Sequence, residues 1–159
     1  MPLSTELASA LSGARRRAAR DGERQVDTAH LLHTLLEADP ETRRAFPGGP
    51  TQVARLLGYL VQRTIGYGLR WSGTVEDSGA LPALAGGAVP GWSPAAAGAM
   101  REARARARER DAARVEGLDL LAALVRDPRC RAVDVLRRAR VDTALLATAP
   151  AAGARSQCR

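Results

Sequence analysis

The sequence contains no lysine and no asparagine; all 24 of its basic residues are arginine. Without lysine there is no P-loop cation, so a Walker-type nucleotide site is excluded. A Schiff-base lysine and a kinase-type lysine are excluded with it. Aromatic residues make up only 3% of the chain. A core must therefore come from Leu, Val and Ala. That composition asks for closely packed helices, because small side chains let backbones approach and alanine has the highest helix propensity. No apolar run approaches the roughly 18 residues of a membrane span. The opening MPLSTELASALSG lacks the basic and then apolar order of a signal peptide. A cytoplasmic protein with no membrane segment is expected.

Cysteine and histidine are scarce too. Cys130 and Cys158 are the two cysteines, too few for a disulfide framework, and reduced thiols are expected. His30 and His33 are the two histidines. They lie three apart on a predicted helix, but only Cys130 could add a third soft ligand, so no metal site is expected. His30 is expected to cap or hydrogen-bond near the helix start, and His33 to be partly exposed. No carboxylate pair stands at a spacing that suggests acid–base work. The stretch GWSPA has no preceding strand and lacks the final glycine of a nucleophile elbow, so Ser93 reads as a helix cap. No catalytic residue, no cofactor and no enzymatic activity are expected.

What remains is a chain of 159 residues, 45% apolar, with a net charge of +7. The length suits one domain or two small halves sharing a core. The charge points towards nucleic acid. Exclusive use of arginine, however, reads as codon bias in a GC-rich genome, so a nucleic-acid-associated role is kept as an alternative, beside a structural remnant without ligand. The densest basic run, REARARARERDAAR, places Arg101, Arg104, Arg106, Arg108 and Arg110 round most of one helix. Neighbouring acids give it ion pairs worth tenths of a kcal/mol each. It reads first as a solvated face and second as a surface for an acidic partner.

The chain is written twice. Shifted by 89 residues, Leu3–Leu36 aligns with Trp92–Val125 without a gap, with 11 of 34 positions identical. Each copy opens with a helix. Leu7, Leu11, Ala14 and Ala18 share one face of the first; Ala96, Met100, Ala103 and Ala107 hold the equivalent places. Ser4 and Ser93 are natural N-caps, and Pro94 suits the first helical position. A second helix follows, its stripe Leu31, Leu32, Leu35 and Leu36 mirrored by Leu120, Leu121, Leu124 and Val125. Asp27 or Thr28 caps the first copy, while Glu116 and Gly117 stand at the second. Both helices stop near an Asp-Pro pair, Asp39-Pro40 and Asp127-Pro128. Further helices are expected over Glu41–Phe46, Thr51–Thr64, Cys130–Ala139 and Asp142–Ala147. The expected organisation is a first repeat over 1–66, a Gly/Pro-rich loop over 67–91, a second repeat over 92–147 and a frayed tail over 148–159.

The fragments VDTAHLLHTLLEADP, GWSPAAAGAMREARARA and VEGLDLLAALVRDP, taken with the repeat spacing, resemble the Clp repeat. This is the N-terminal domain of the ClpA and ClpC Hsp100 unfoldases, and the likeness covers roughly Leu3–Leu146. It implies an all-α fold: two pseudo-symmetric four-helix units packed as one domain of about eight helices. It also implies a binding module for substrates, adaptors, phosphoarginine marks or cyclic-peptide antibiotics. In the family, ATPase rings follow in the same chain; here none is expected, so action would be in trans, as an adaptor or decoy in ClpC-dependent proteolysis. The family's acidic residue in its G-T-E-H motif is replaced by Ala29 and Leu118, neither of which can pair with a guanidinium. The family histidine is kept as His30 and becomes Asp119. The resemblance places a ligand site at Leu3, Ser4, Leu11 and Arg15 of the first copy and Trp92, Ser93, Met100 and Arg101 of the second. Trp and Arg are also common anchors of binding surfaces.

Overall fold

A computed structural model describes residues 1–64 and 91–148. The expected loop over 67–91 lies outside the described residues except for Gly91, and the expected tail does so beyond Thr148. Among the described residues there are eight helices: α1 (Thr5–Arg20), α2 (Thr28–Ala38), α3 (Pro40–Arg44), α4 (Gly49–Thr64), α5 (Pro94–Glu109), α6 (Gly117–Val125), α7 (Arg131–Arg138) and α8 (Thr143–Ala147). Two short strands, β1 (Gln25–Val26) and β2 (Gly91–Trp92), complete the set. The fold is all-α, four helices to each copy.

The helix starts follow the cap chemistry of the sequence. Ser4 Oγ accepts from the Leu7 amide and Ser93 Oγ from the Ala96 amide, both at 3.1 Å. Asp27, not Thr28, caps α2, accepting from the His30 amide at 2.8 Å. In return, His30 Nδ1 accepts from the Asp27 amide at 3.1 Å, which closes a capping box. Glu116 and Asp119 make the matching box on α6. Asp142 caps α8, and Cys130 precedes α7 as its N-cap rather than lying inside it. The side-chain caps at Ser4, Asp27, Ser93 and Asp142 satisfy backbone donors that have no partner within the helix and contribute about 1 kcal/mol each.

The first helix of each copy packs on the second, α1 on α2 and α5 on α6. The buried seam is Leu7, Ala10, Ala14 and Ala18 on α1 and Ala96, Ala99, Ala103 and Ala107 on α5. This corrects the expected stripes, because Leu11 and Met100 are only half-buried, at the edge of the core. An alanine seam brings the helix axes close, and the bulkier neighbours are pushed aside. The leucines of α2 and α6 face inward as expected; Leu31, Leu32, Leu35, Leu36, Leu120 and Leu121 are fully buried. Burying each leucine contributes about 2 kcal/mol relative to exposure.

The two copies are joined by a contact absent from the sequence reading. β1 and β2 pair in parallel, with Val26 opposite Trp92. A bridge between Leu3 and Val115 repeats the arrangement on the other side. The Ser4 amide donates to the Val115 carbonyl at 2.8 Å, and the Ser93 amide to the Val26 carbonyl at 2.9 Å. Ser4 and Ser93, like Val26 and Val115, are 89 residues apart. Each copy therefore begins by pairing with the segment that precedes the second helix of the other.

Candidate functional site

These crossings place Leu3 and Trp92, the residues that open the copies. Trp92 is half-buried, packed against the core. The Arg15 guanidinium carbon lies 5.0 Å from the centroid of its ring. A cation over an indole face at an exposed site contributes about 0.5–1 kcal/mol. On the other side, Arg104 Nη1 donates to the Met1 carbonyl at 3.2 Å, two residues before Leu3. Arg104 is Arg15 shifted by 89 residues. Each copy thus sets an arginine of its first helix against the opening of the other copy.

The eight expected site residues fare differently. Arg15 and Trp92 are brought together. Leu3, Leu11 and Met100 are half-buried at the edge of the core. Ser4 and Ser93 are buried, with their hydroxyls engaged as helix caps. Arg101 is exposed, and its guanidinium lies 3.7 Å from where a Cβ on Gly98 would stand. Arg104 was not expected in the site, although the Arg15/Arg104 identity in the repeat alignment is the sequence signal for it.

The segments that carry the family motif are packed into the structure. Ala29 is 0% and Leu118 5% exposed, so the two positions that lack the family's carboxylate are core positions here. Asp27 accepts from Arg131 Nη1 at 2.9 Å, and Thr28 Oγ1 from the Ala132 amide at 2.9 Å, which docks the start of α7 on the start of α2. Asp119 accepts from Arg110 Nη2 at 2.7 Å with one oxygen and from the Glu116 amide at 2.9 Å with the other. In the first copy the equivalent pair is Asp21 and His30, 4.0 Å apart, with the charged residues exchanged between the two positions. His33 is buried, not partly exposed as the sequence suggested, and its Nε2 lies 2.8 Å from Glu37. Glu116 also pairs with Arg114 Nε at 2.7 Å and raises that guanidinium's pKa above its ordinary value. Among the described residues, no three His, Cys, Asp or Glu side chains cluster as metal ligands would.

Among the depressions on the surface of the described residues are three with distinct linings. One of about 330 Å³ lies between the start of α5 and the end of α6, reaching Cys130. One of about 570 Å³ is an apolar hollow beside α3 and α4, walled by Phe46, Val53 and Leu57. The third, of about 340 Å³, lies between α1 and α2 and is lined by Arg16, Arg17 and Arg20. None of the three includes Trp92, Leu11 or Met100.

No protein-family profile and no curated protein matches the sequence. Solved structures do match the fold. The Hsp104 N-terminal domain of Candida albicans aligns at a TM-score of 0.70 with 13% identity, covering 99% of this chain and 94% of that one. The N-terminal domain of the caseinolytic-protease-associated chaperone ClpD from Arabidopsis thaliana aligns at 0.61 with 18% identity, covering 92% and 90%. A structure described as part of a malarial protein secretion system aligns at 0.64 with 15% identity, again covering 92% and 90%. At these identities the likeness is one of architecture. The interlocked pair of four-helix units is the fold of the Clp N-terminal domain.

Proposed function

We propose that the protein is a binding module without catalytic chemistry, and that it works on Clp-type proteolysis by engaging a ClpC-type unfoldase, its substrates or cyclic-peptide ligands as an adaptor or a decoy. The observation that carries this reading is the Arg15–Trp92 stack, with half-buried Leu11 one helical turn from Arg15 on α1. A ring held by a cation on one face, with apolar side chains partly open to solvent, is the composition of a recognition surface. The Clp N-terminal fold supports the same reading. The cap hydroxyls of Ser4 and Ser93 are already engaged, so in this reading they hold the helices in place and do not touch the ligand.

Nucleic-acid association has the net charge behind it, but several arginines that would face phosphates are engaged. Arg110 pairs with Asp119, Arg126 with Glu102, and Arg104 with a backbone carbonyl.

The test is co-purification with a ClpC-type unfoldase, together with calorimetry against a cyclic peptide that binds the ClpC N-terminal domain. Binding is expected in at least one format. Trp92→Ala should weaken it about tenfold or more, as loss of an aromatic anchor does, with the helical circular dichroism unchanged. Silence in both formats overturns the proposal, as does binding indifferent to Trp92.

A further inference from the structure

The groove between α1 and α2 and the groove between α5 and α6 are the same feature built twice. Shifting by 89 residues carries Gly13 to Glu102, Thr34 to Ala123 and Glu37 to Arg126, and these residues line the two depressions. Their charges differ. The first groove holds Arg16, Arg17 and Arg20 against the single carboxylate of Glu37. The second holds Glu102 and Asp127 against the single guanidinium of Arg126. At the positions of Arg16 and Arg20, the second copy has Ala105 and Glu109. The same packing has thus been given opposite electrostatics.

Within the basic groove a carboxylate of the chain itself already pairs with an arginine. Arg17 Nη2 donates to Glu37 Oε1 at 2.7 Å, and His33 Nε2 lies 2.8 Å from the same oxygen. Glu37 satisfies one end of Arg17 only, since Arg17 Nε is buried without an acceptor among the described residues. The Thr34 hydroxyl is turned away to the His30 carbonyl at 3.0 Å. Arg16 and Arg20 are exposed. They stand one helical turn apart, about 5–6 Å between Cβ atoms. That spacing matches successive acidic side chains along a polypeptide better than the oxygens of one small anion.

We propose that the α1–α2 groove docks an acidic segment of a partner protein, with Arg16 and Arg20 as the guanidiniums that take its carboxylates and Arg17 held in place by Glu37. Guanidinium–carboxylate pairing is geometrically matched and can be bidentate. Because the two receiving arginines are exposed, the attraction is strongly screened and the interaction is weak at high salt. The site shares no residue with the Arg15–Trp92 cluster, so it stands or falls independently of the function proposed above.

The test is fluorescence anisotropy of a labelled oligoglutamate peptide with the full-length chain at low ionic strength. Saturable binding is expected. Arg16→Glu/Arg20→Glu should weaken it by about tenfold or more, in line with two lost surface ion pairs. The charge-matched control Arg55→Glu/Arg129→Glu, on exposed residues elsewhere, should leave it within about twofold if only long-range screening acts. Glu37→Gln, which frees Arg17, should tighten it, an effect that a merely structural role for these arginines does not produce. Equal losses in the two double variants would overturn the proposal by reducing the binding to net charge. Saturation of the groove by inorganic phosphate at concentrations where the peptide does not bind would also overturn it, because the site would then be built for a compact anion.

Discussion

Gly117 is the residue whose side chain matters most by its absence. It opens α6, and a Cβ there would fall well inside contact distance of Asp39 Oδ2, 2.9 Å from Thr42 Oγ1 and 3.0 Å from Leu35 Cδ1. Asp39 cannot yield freely, because it caps α3 through the Glu41 amide and accepts from the Thr42 hydroxyl at 2.8 Å. Gly117→Ala is therefore expected to destabilise the protein by about 1–3 kcal/mol, as overpacking of a filled site does, measured by urea unfolding. An unchanged midpoint would mean that the α3–α6 contact is looser than described. The same crowding explains Ala29 and Leu118. A carboxylate at either place would be desolvated, because both positions are buried. The substitutions were plain in the sequence, but their burial was not, because burial depends on how α3 and α7 close over the starts of α6 and α2.

The helix ends give the cleanest comparison between the copies at the level of elements. Both first helices finish with the same pattern of backbone hydrogen bonds: Glu23 to Ala18 in one, Ala112 to Ala107 in the other, each at 2.9 Å. The turn needs a left-handed residue. The first copy uses Gly22 at φ +69° and the second uses Asp111 at φ +51°. A residue with a Cβ in this region is strained by about 1 kcal/mol, less for Asp than for most. Nothing lies within 4 Å of an ideal Cβ on Gly22, so any effect there comes from the backbone. Gly22→Ala is expected to lower stability by about 1 kcal/mol, and Asp111→Gly to raise it by up to about that amount, in the same denaturant assay. The opposite signs would show that side-chain contacts, not backbone conformation, decide these ends.

Much at this scale was legible in the sequence. Ser4, Asp27, Ser93 and Asp142 announced their helices by cap chemistry, and the leucine stripes announced α2 and α6. On α1, periodicity alone favours the larger Leu11 for the buried seam. Close packing on α2 selected Ala10, one position away and less conspicuous. His33 is buried where the sequence suggests partial exposure, because a partner at Glu37 allows a histidine to be buried. The strands were invisible, because two residues carry no alternation to detect.

For the molecule as a whole, the repeat spacing foretold two like halves but not how they are joined. The pairing of Ser4 with Val115 and of Ser93 with Val26 links residues far apart in sequence, and only the assembled fold brings them together. It also positions Trp92 against Arg15, which no local motif could reveal, and sets Arg104, the repeat counterpart of Arg15, against the opening of the first copy. Each copy is completed by the other, and the surface around Trp92 exists because of this reciprocity. Amide hydrogen exchange measures it directly. An N-terminal residue that merely frays exchanges near the unprotected rate. If the copies interlock, the Ser4 amide is protected to the same degree as the Ser93 amide, close to the level of global unfolding. Rapid exchange at Ser4 alongside a protected Ser93 would contradict the reciprocal fold.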